Sequence, residues 1–123
     1  MITSKYFKEP EFLNCTPKCS LQDMRQETMD MLDKAREIAG IPFVINSAYR
    51  SVAWDKAKGR SGRSAHTTGS AVDIRCNNGQ TRMIVVKSLM EAGFKRIGIE
   101  GSFVHADNSN DLPYHTQDTM WVY

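Results

Sequence analysis

The chain is short of net charge, of cysteine and of long apolar runs. Lys and Arg total 16 against 14 Asp and Glu, a formal +2 over 123 residues. That surplus is too small to argue for nucleic acid as a partner. The one basic run, Lys56-Ala57-Lys58-Gly59-Arg60-Ser61-Gly62-Arg63, reads as a flexible loop, with contact to an acidic or polyanionic substrate surface as the alternative. Cys15, Cys19 and Cys76 are odd in number and form no complete disulfide framework, and no second pair turns Cys15 and Cys19 into a metal site. They read as reduced structural thiols. No apolar segment has membrane-spanning length, and the first residues lack a signal-peptide h-region. The expectation is a protein made in the cytoplasm, with no membrane or nucleic-acid partner. No repeat or low-complexity segment is visible. The length suits one compact domain over residues 1–123, a monomer, with 1–19 as an N-terminal arm.

What the sequence does hold is two helical periodicities and several short apolar runs. Tyr6, Phe7, Phe12 and Leu13 are anchors for packing the arm on a core. Ser20-Leu21-Gln22-Asp23 has the form of a capping box and predicts a helix from Ser20. Leu21, Met24, Thr28, Met31, Ala35 and Ile38 give it one buried stripe, and Gly40 and Pro42 end it. Phe43 to Ile45 reads as a short strand, 52–57 as a helical turn and 58–68 as a Gly- and Ser-rich loop. From Ser70 to Cys76 the residues alternate. Val72, Ile74 and Cys76 suit the core, and Ala71, Asp73 and Arg75 take the other face. Residues 80–92 read as a second helix with Met83, Val86, Leu89 and Met90 inward, ended by Gly93. Phe94 to Ile99 and Phe103 to Asp107 read as strands joined at Glu100-Gly101-Ser102. Residues 108–113 read as loop and Met120 to Tyr123 as a closing strand. Hairpins beside two main helices predict an α+β fold with a small mixed or antiparallel sheet.

His66 and Asp73 carry the chemistry, with His105 downstream. Two imidazoles and one carboxylate are a usual ligand set for catalytic zinc, which leaves a fourth position for water. Six residues separate His66 from Asp73, and a straight strand of that length would hold them roughly 20 Å apart. Both reach one ion only if the chain doubles back, and Gly69 is the residue that permits the turn. Asp73 lies in the apolar stretch Ala71-Val72-Asp73-Ile74, where a carboxylate is costly to bury unpaired. A bridge to Arg75 is the simplest partner, but neighbours at i and i+2 on a strand do not bond easily. A cation shared with the histidines satisfies it better. His115 reads as a surface residue, and Trp54 and Tyr49 as packing aromatics that also suit a cleft wall. Ser64 and Thr67 bond the loop around His66.

Ser64-x-His66-x-x-Gly69-x-Ala71-x-Asp73 resembles the signature of the zinc D-alanyl-D-alanine carboxypeptidases and phage endolysins. The resemblance extends to Ser47-Ala48-Tyr49-Arg50-Ser51, Glu91-Ala92-Gly93-Phe94 and Phe103-Val104-His105-Ala106-Asp107, and covers roughly residues 20–123. It implies a fold shared with the hedgehog signalling domain and zinc-dependent cleavage beside D-amino acids in peptidoglycan stem peptides. By position, His66, Asp73 and His105 match the zinc ligands, and Arg50 the residue that holds a substrate carboxylate or oxyanion. Tyr49 and Ser64 are further candidates for substrate binding. The family often has an acidic residue three before the last His, where this chain has Ser102. Glu100 is then the first candidate for general base. Asp107 is the second, with bracing of the His105 ring as its other role. The resemblance also implies action at the cell wall, with release through a holin or carriage in a virion. A zinc-stabilised binding module without hydrolysis is the other reading.

Overall fold

In the computed structural model, which describes residues 1–111 and 113–123, five strands form one mixed sheet. They are β1 (Ile45–Ser47), β2 (Ala71–Arg75), β3 (Arg96–Ile99), β4 (Phe103–Asp107) and β5 (Thr119–Val122), in the order β1-β2-β4-β3-β5. Neighbours pair antiparallel except β3 and β5, which run parallel. The helices are α1 (Glu9–Leu13), α2 (Gln26–Ala39), α3 (Val52–Ala57) and α4 (Gly79–Glu91). The fold is α+β, as the sequence predicts, with α2 and α4 as its two main helices.

One face of the sheet builds the core. Val72 and Ile74 of β2, Ile97 of β3, and Val104 and Ala106 of β4 pack with Met29 and Leu32 of α2 and Val85 and Leu89 of α4. Phe7 and Phe12 close the same core from the N-terminal arm, whereas Leu13 is 44% exposed. The alternate residues, Asp73, His105 and Asp107 among them, share the opposite face. Among the described residues the two long helices, α2 and α4, pack on the core face, which leaves the opposite face to build a site.

Several boundaries differ from the sequence reading. Ser20 does cap a turn, but only the 3-10 turn Leu21–Asp23, and α2 starts at Gln26. Met24 between them is extended and buried. The chain is held there by a hydrogen bond from the Arg25 N–H to the Gly69 carbonyl at 3.1 Å. Leu32 belongs to the buried stripe of α2, and Ile38, assigned inward, is exposed. In α4 the buried residues are Val85, Ser88 and Leu89, while Met83 and Met90 face solvent. The consecutive apolar residues Met83 to Val86 satisfy more than one helical phase, so spacing alone cannot choose among them. The first strand begins two residues later than expected; the Val44 side chain is exposed, although its carbonyl accepts from the Arg75 N–H at 2.9 Å. The expected loop 108–113 is irregular where described; its Leu112 lies outside the described residues.

Candidate metal centre

Three elements bring the site together. His66 sits on the 3-10 turn Ala65–Thr68, capped by the Ser64 Oγ, which accepts the His66 N–H at 3.2 Å. Gly69 ends that turn at φ +70 and sends the chain back into β2. A Cβ at Gly69 would lie 2.4 Å from the Asp23 carbonyl oxygen, so backbone conformation and space both require glycine. Asp73 on β2 and His105 on β4 are direct cross-strand partners and point to the same face.

The histidines and the carboxylate converge. Donor atoms of His66, Asp73 and His105 all lie within 4.8 Å of one another, and all three residues are buried. Each ring has one nitrogen tied away from the centre and one turned into it. His66 Nδ1 donates to the Ala48 carbonyl at 2.6 Å, which leaves Nε2 bare and 3.4 Å from Asp73 Oδ1. His105 Nε2 donates to Asp107 Oδ2 at 2.6 Å, and its Nδ1 lies 3.0 Å from Asp73 Oδ1.

The charge states follow from burial and from these contacts. Burial holds the His66 pKa below its ordinary value of 6.5, against the opposing pull of Asp73. A neutral His66 then aims a lone pair towards a carboxylate oxygen, an arrangement that a shared cation satisfies. Burial also penalises a charged His105, but its bonds to Asp107 and Asp73 outweigh that and raise its pKa. Burial pushes Asp73 up; the hydrogen bonds and charges of the two histidines hold it, on balance, well below the ordinary carboxylate range. The donor set therefore fits zinc: two imidazole nitrogens and one carboxylate, each with a bonded partner behind it.

Around this centre lies a cavity of about 250 Å³. Arg50 enters from the segment before α3, with its Nη2 3.3 Å from Asp73 Oδ2 and its Nε 3.2 Å from Ser47 Oγ. Ser64 and Asp107 also line the cavity. Asp107 is fully buried and spends both oxygens, Oδ2 on His105 and Oδ1 on Arg96 Nε at 2.7 Å and the Ser109 N–H at 3.2 Å. Glu100 is not part of the cavity wall. It follows Ile99, the last residue of β3, in the turn to β4. Its Oε2 accepts from the Ser102 N–H at 2.8 Å and the Ser102 Oγ at 2.6 Å, and these bonds lower its pKa. Tyr49 packs against the hydrophobic core and does not line the cavity.

Sequence reasoning passed over several wall residues. His115, read as a surface residue, is buried at 8% exposure with Nδ1 on the Ser109 hydroxyl, and it lines the cavity. Arg96, Trp121 and Tyr123 line it too. Trp121 reaches His105, with ring centroids 5.3 Å apart, by crossing Gly98 on the intervening strand. A Cβ at Gly98 would lie 2.6 Å from the indole Nε1, so this glycine is what admits the ring. No local pattern marks these residues. Only the strand order brings β5 to the site.

An α+β sheet that carries a buried His/Asp/His set beside an arginine is the framework of a metal-dependent hydrolase site. The family model for peptidase M15 matches residues 5–107, and the chain belongs to that family. Members are zinc-dependent peptidases, and the His66, Asp73 and His105 cluster fits a metal site. No curated protein matches the chain.

Proposed function

We propose that the protein is a zinc peptidase that hydrolyses bonds beside D-amino acids in peptidoglycan stem peptides, as a carboxypeptidase or an endopeptidase. The observation that carries this reading is the pair of imidazole nitrogens turned onto the Asp73 carboxylate in a cavity that also holds Arg50. Zinc in this site supplies Lewis acidity, which lowers the pKa of water and polarises a scissile carbonyl. The protein's own groups supply the rest. The Arg50 fork holds a substrate carboxylate or the developing oxyanion. Asp107 fixes the His105 ring so that Nδ1 faces the metal. Ser64 shapes the turn that presents His66.

Proton transfer falls to Glu100. Asp73 matches a metal ligand and Asp107 has both oxygens committed, whereas the bonds of Glu100 are to its near neighbour Ser102. In this reading Glu100 leaves Ser102, takes a proton from the attacking water and returns it to the leaving amine. Action at the cell wall, after release through a holin or carriage in a virion, belongs to the same proposal.

Digestion of purified peptidoglycan by the zinc-loaded protein, read by mass spectrometry, tests this. The expected result is released D-alanine or shortened cross-linked peptides, and the product identifies the bond. Intact substrate with zinc bound would favour a non-catalytic binding module of the same fold.

A further inference from the structure

Asp55 has a role that the metal centre does not explain. It lies in α3, five residues after Arg50, and its side chain is wholly buried. Neither of its carboxylate oxygens has a hydrogen-bond partner among the described residues. A buried charge without a partner is costly, so something must offset it. The one cation within ion-pair range, among the described residues, is Arg50, whose Nη1 lies 3.9 Å from Asp55 Oδ1.

Arg50 is therefore held from two sides. Nη2 faces Asp73 and Nη1 faces Asp55, with Nε on Ser47 and the guanidinium 5.6 Å from the centre of the Trp54 ring. The two carboxylates are not equivalent. Asp73 belongs to the metal donor set and Asp55 does not. A cation at the centre draws on the Asp73 charge and repels the guanidinium, so that side of the hold weakens on metal binding. The Asp55 side does not.

We propose that Asp55 is the positioning residue for Arg50, the fixed counter-charge that keeps the guanidinium at the cavity wall when the metal claims Asp73. The role of Arg50 towards a substrate carboxylate or oxyanion rests on the peptidase reading above; the pairing of Asp55 with Arg50 does not.

A double-mutant cycle of Asp55→Asn and Arg50→Gln on zinc-loaded protein tests it. The readouts are zinc content, urea unfolding, and kcat/KM on an acylated peptide ending in D-alanyl-D-alanine. Asp55→Asn keeps the side-chain shape and removes the charge. It is expected to retain zinc and to lower kcat/KM roughly tenfold, while changing the Arg50→Gln enzyme by less than about twofold. Arg50→Gln strands the buried carboxylate and lowers the unfolding midpoint; adding Asp55→Asn raises the midpoint again but restores no activity. A residue with only a packing role would show neither the coupling nor the rescue. Equal loss from Asp55→Asn in both backgrounds, or no rise of the Arg50→Gln midpoint, overturns the proposal. If the unaltered zinc-loaded protein cleaves neither this peptide nor purified peptidoglycan, the peptidase reading fails on its own, and the midpoint rescue alone decides for or against the Asp55–Arg50 pair.

Discussion

His105 has a carboxylate on each ring nitrogen, and the two have different tasks. Asp73 shares the metal side and Asp107 braces the far side. Asp107→Asn leaves an amide where the ring needs a charged acceptor, so zinc affinity should fall roughly ten- to a hundredfold. Glu100→Gln should keep zinc and fold but lower turnover by about a hundredfold or more, the scale for losing a general acid-base group. Zinc competition and turnover on the same two variants separate the roles. A dead Asp107→Asn with zinc retained, beside an active Glu100→Gln, would reverse them. The ligand candidates were legible because each lies in a tight local pattern, His66 and Asp73 around Gly69 and His105 in an alternating strand. Arg96 and His115 were not, because isolated polar residues signal nothing until distant segments meet.

At the scale of elements, strand alternation reads more safely than helix phase. Residues 71–76 and 103–107 have a period of two and one obvious apolar face, and the observed faces agree. Helix α4 carries consecutive apolar residues from Met83 to Val86, so its rotation is set by what it packs on. Leu89 is fully buried and Met90 is 56% exposed. Leu89→Ala should therefore cost about 2–5 kcal/mol and Met90→Ala less than about 0.5 kcal/mol. Chemical denaturation of both variants checks this. Equal costs would mean that α4 is rotated from the orientation described. The direction of β5 was also beyond the sequence. Its apolar residues announce a strand, but no local pattern announces the parallel pairing with β3.

For the whole molecule, the core and the metal centre lie on opposite faces of one sheet. Chelation should therefore abolish activity and leave the far-ultraviolet circular dichroism largely intact, unlike a zinc finger, whose fold depends on its ion. Collapse of the spectrum on chelation would make the site structural. The pH dependence has a definite sign. Zinc must displace the His105 Nδ1 proton, whose pKa is raised above 6.5, so zinc affinity climbs with pH through that raised value and then levels off. Competition titrations between about pH 6 and 8 check this, and a flat profile would contradict it. In the metal-free protein the His105 contribution to stability is full below 6.5 and is lost as pH rises through the raised value. His66, depressed by burial, works against stability as pH falls below 6.5, and Asp73 contributes above 3.8 until its lower folded value is reached.

The pairing of Asp73 opposite His105 has a further consequence, for quality control in folding. A slip of β2 against β4 by one residue would turn one of the two side chains to the helix-covered face and put a valine, an isoleucine or an alanine into the centre. Such a misaligned sheet could still be compact, but it would own no complete ligand set. Zinc uptake thus counts only correctly threaded molecules. By mass action it draws the slipped ones back towards the native register, so metal supplied during refolding should raise the yield of native protein as well as switch it on.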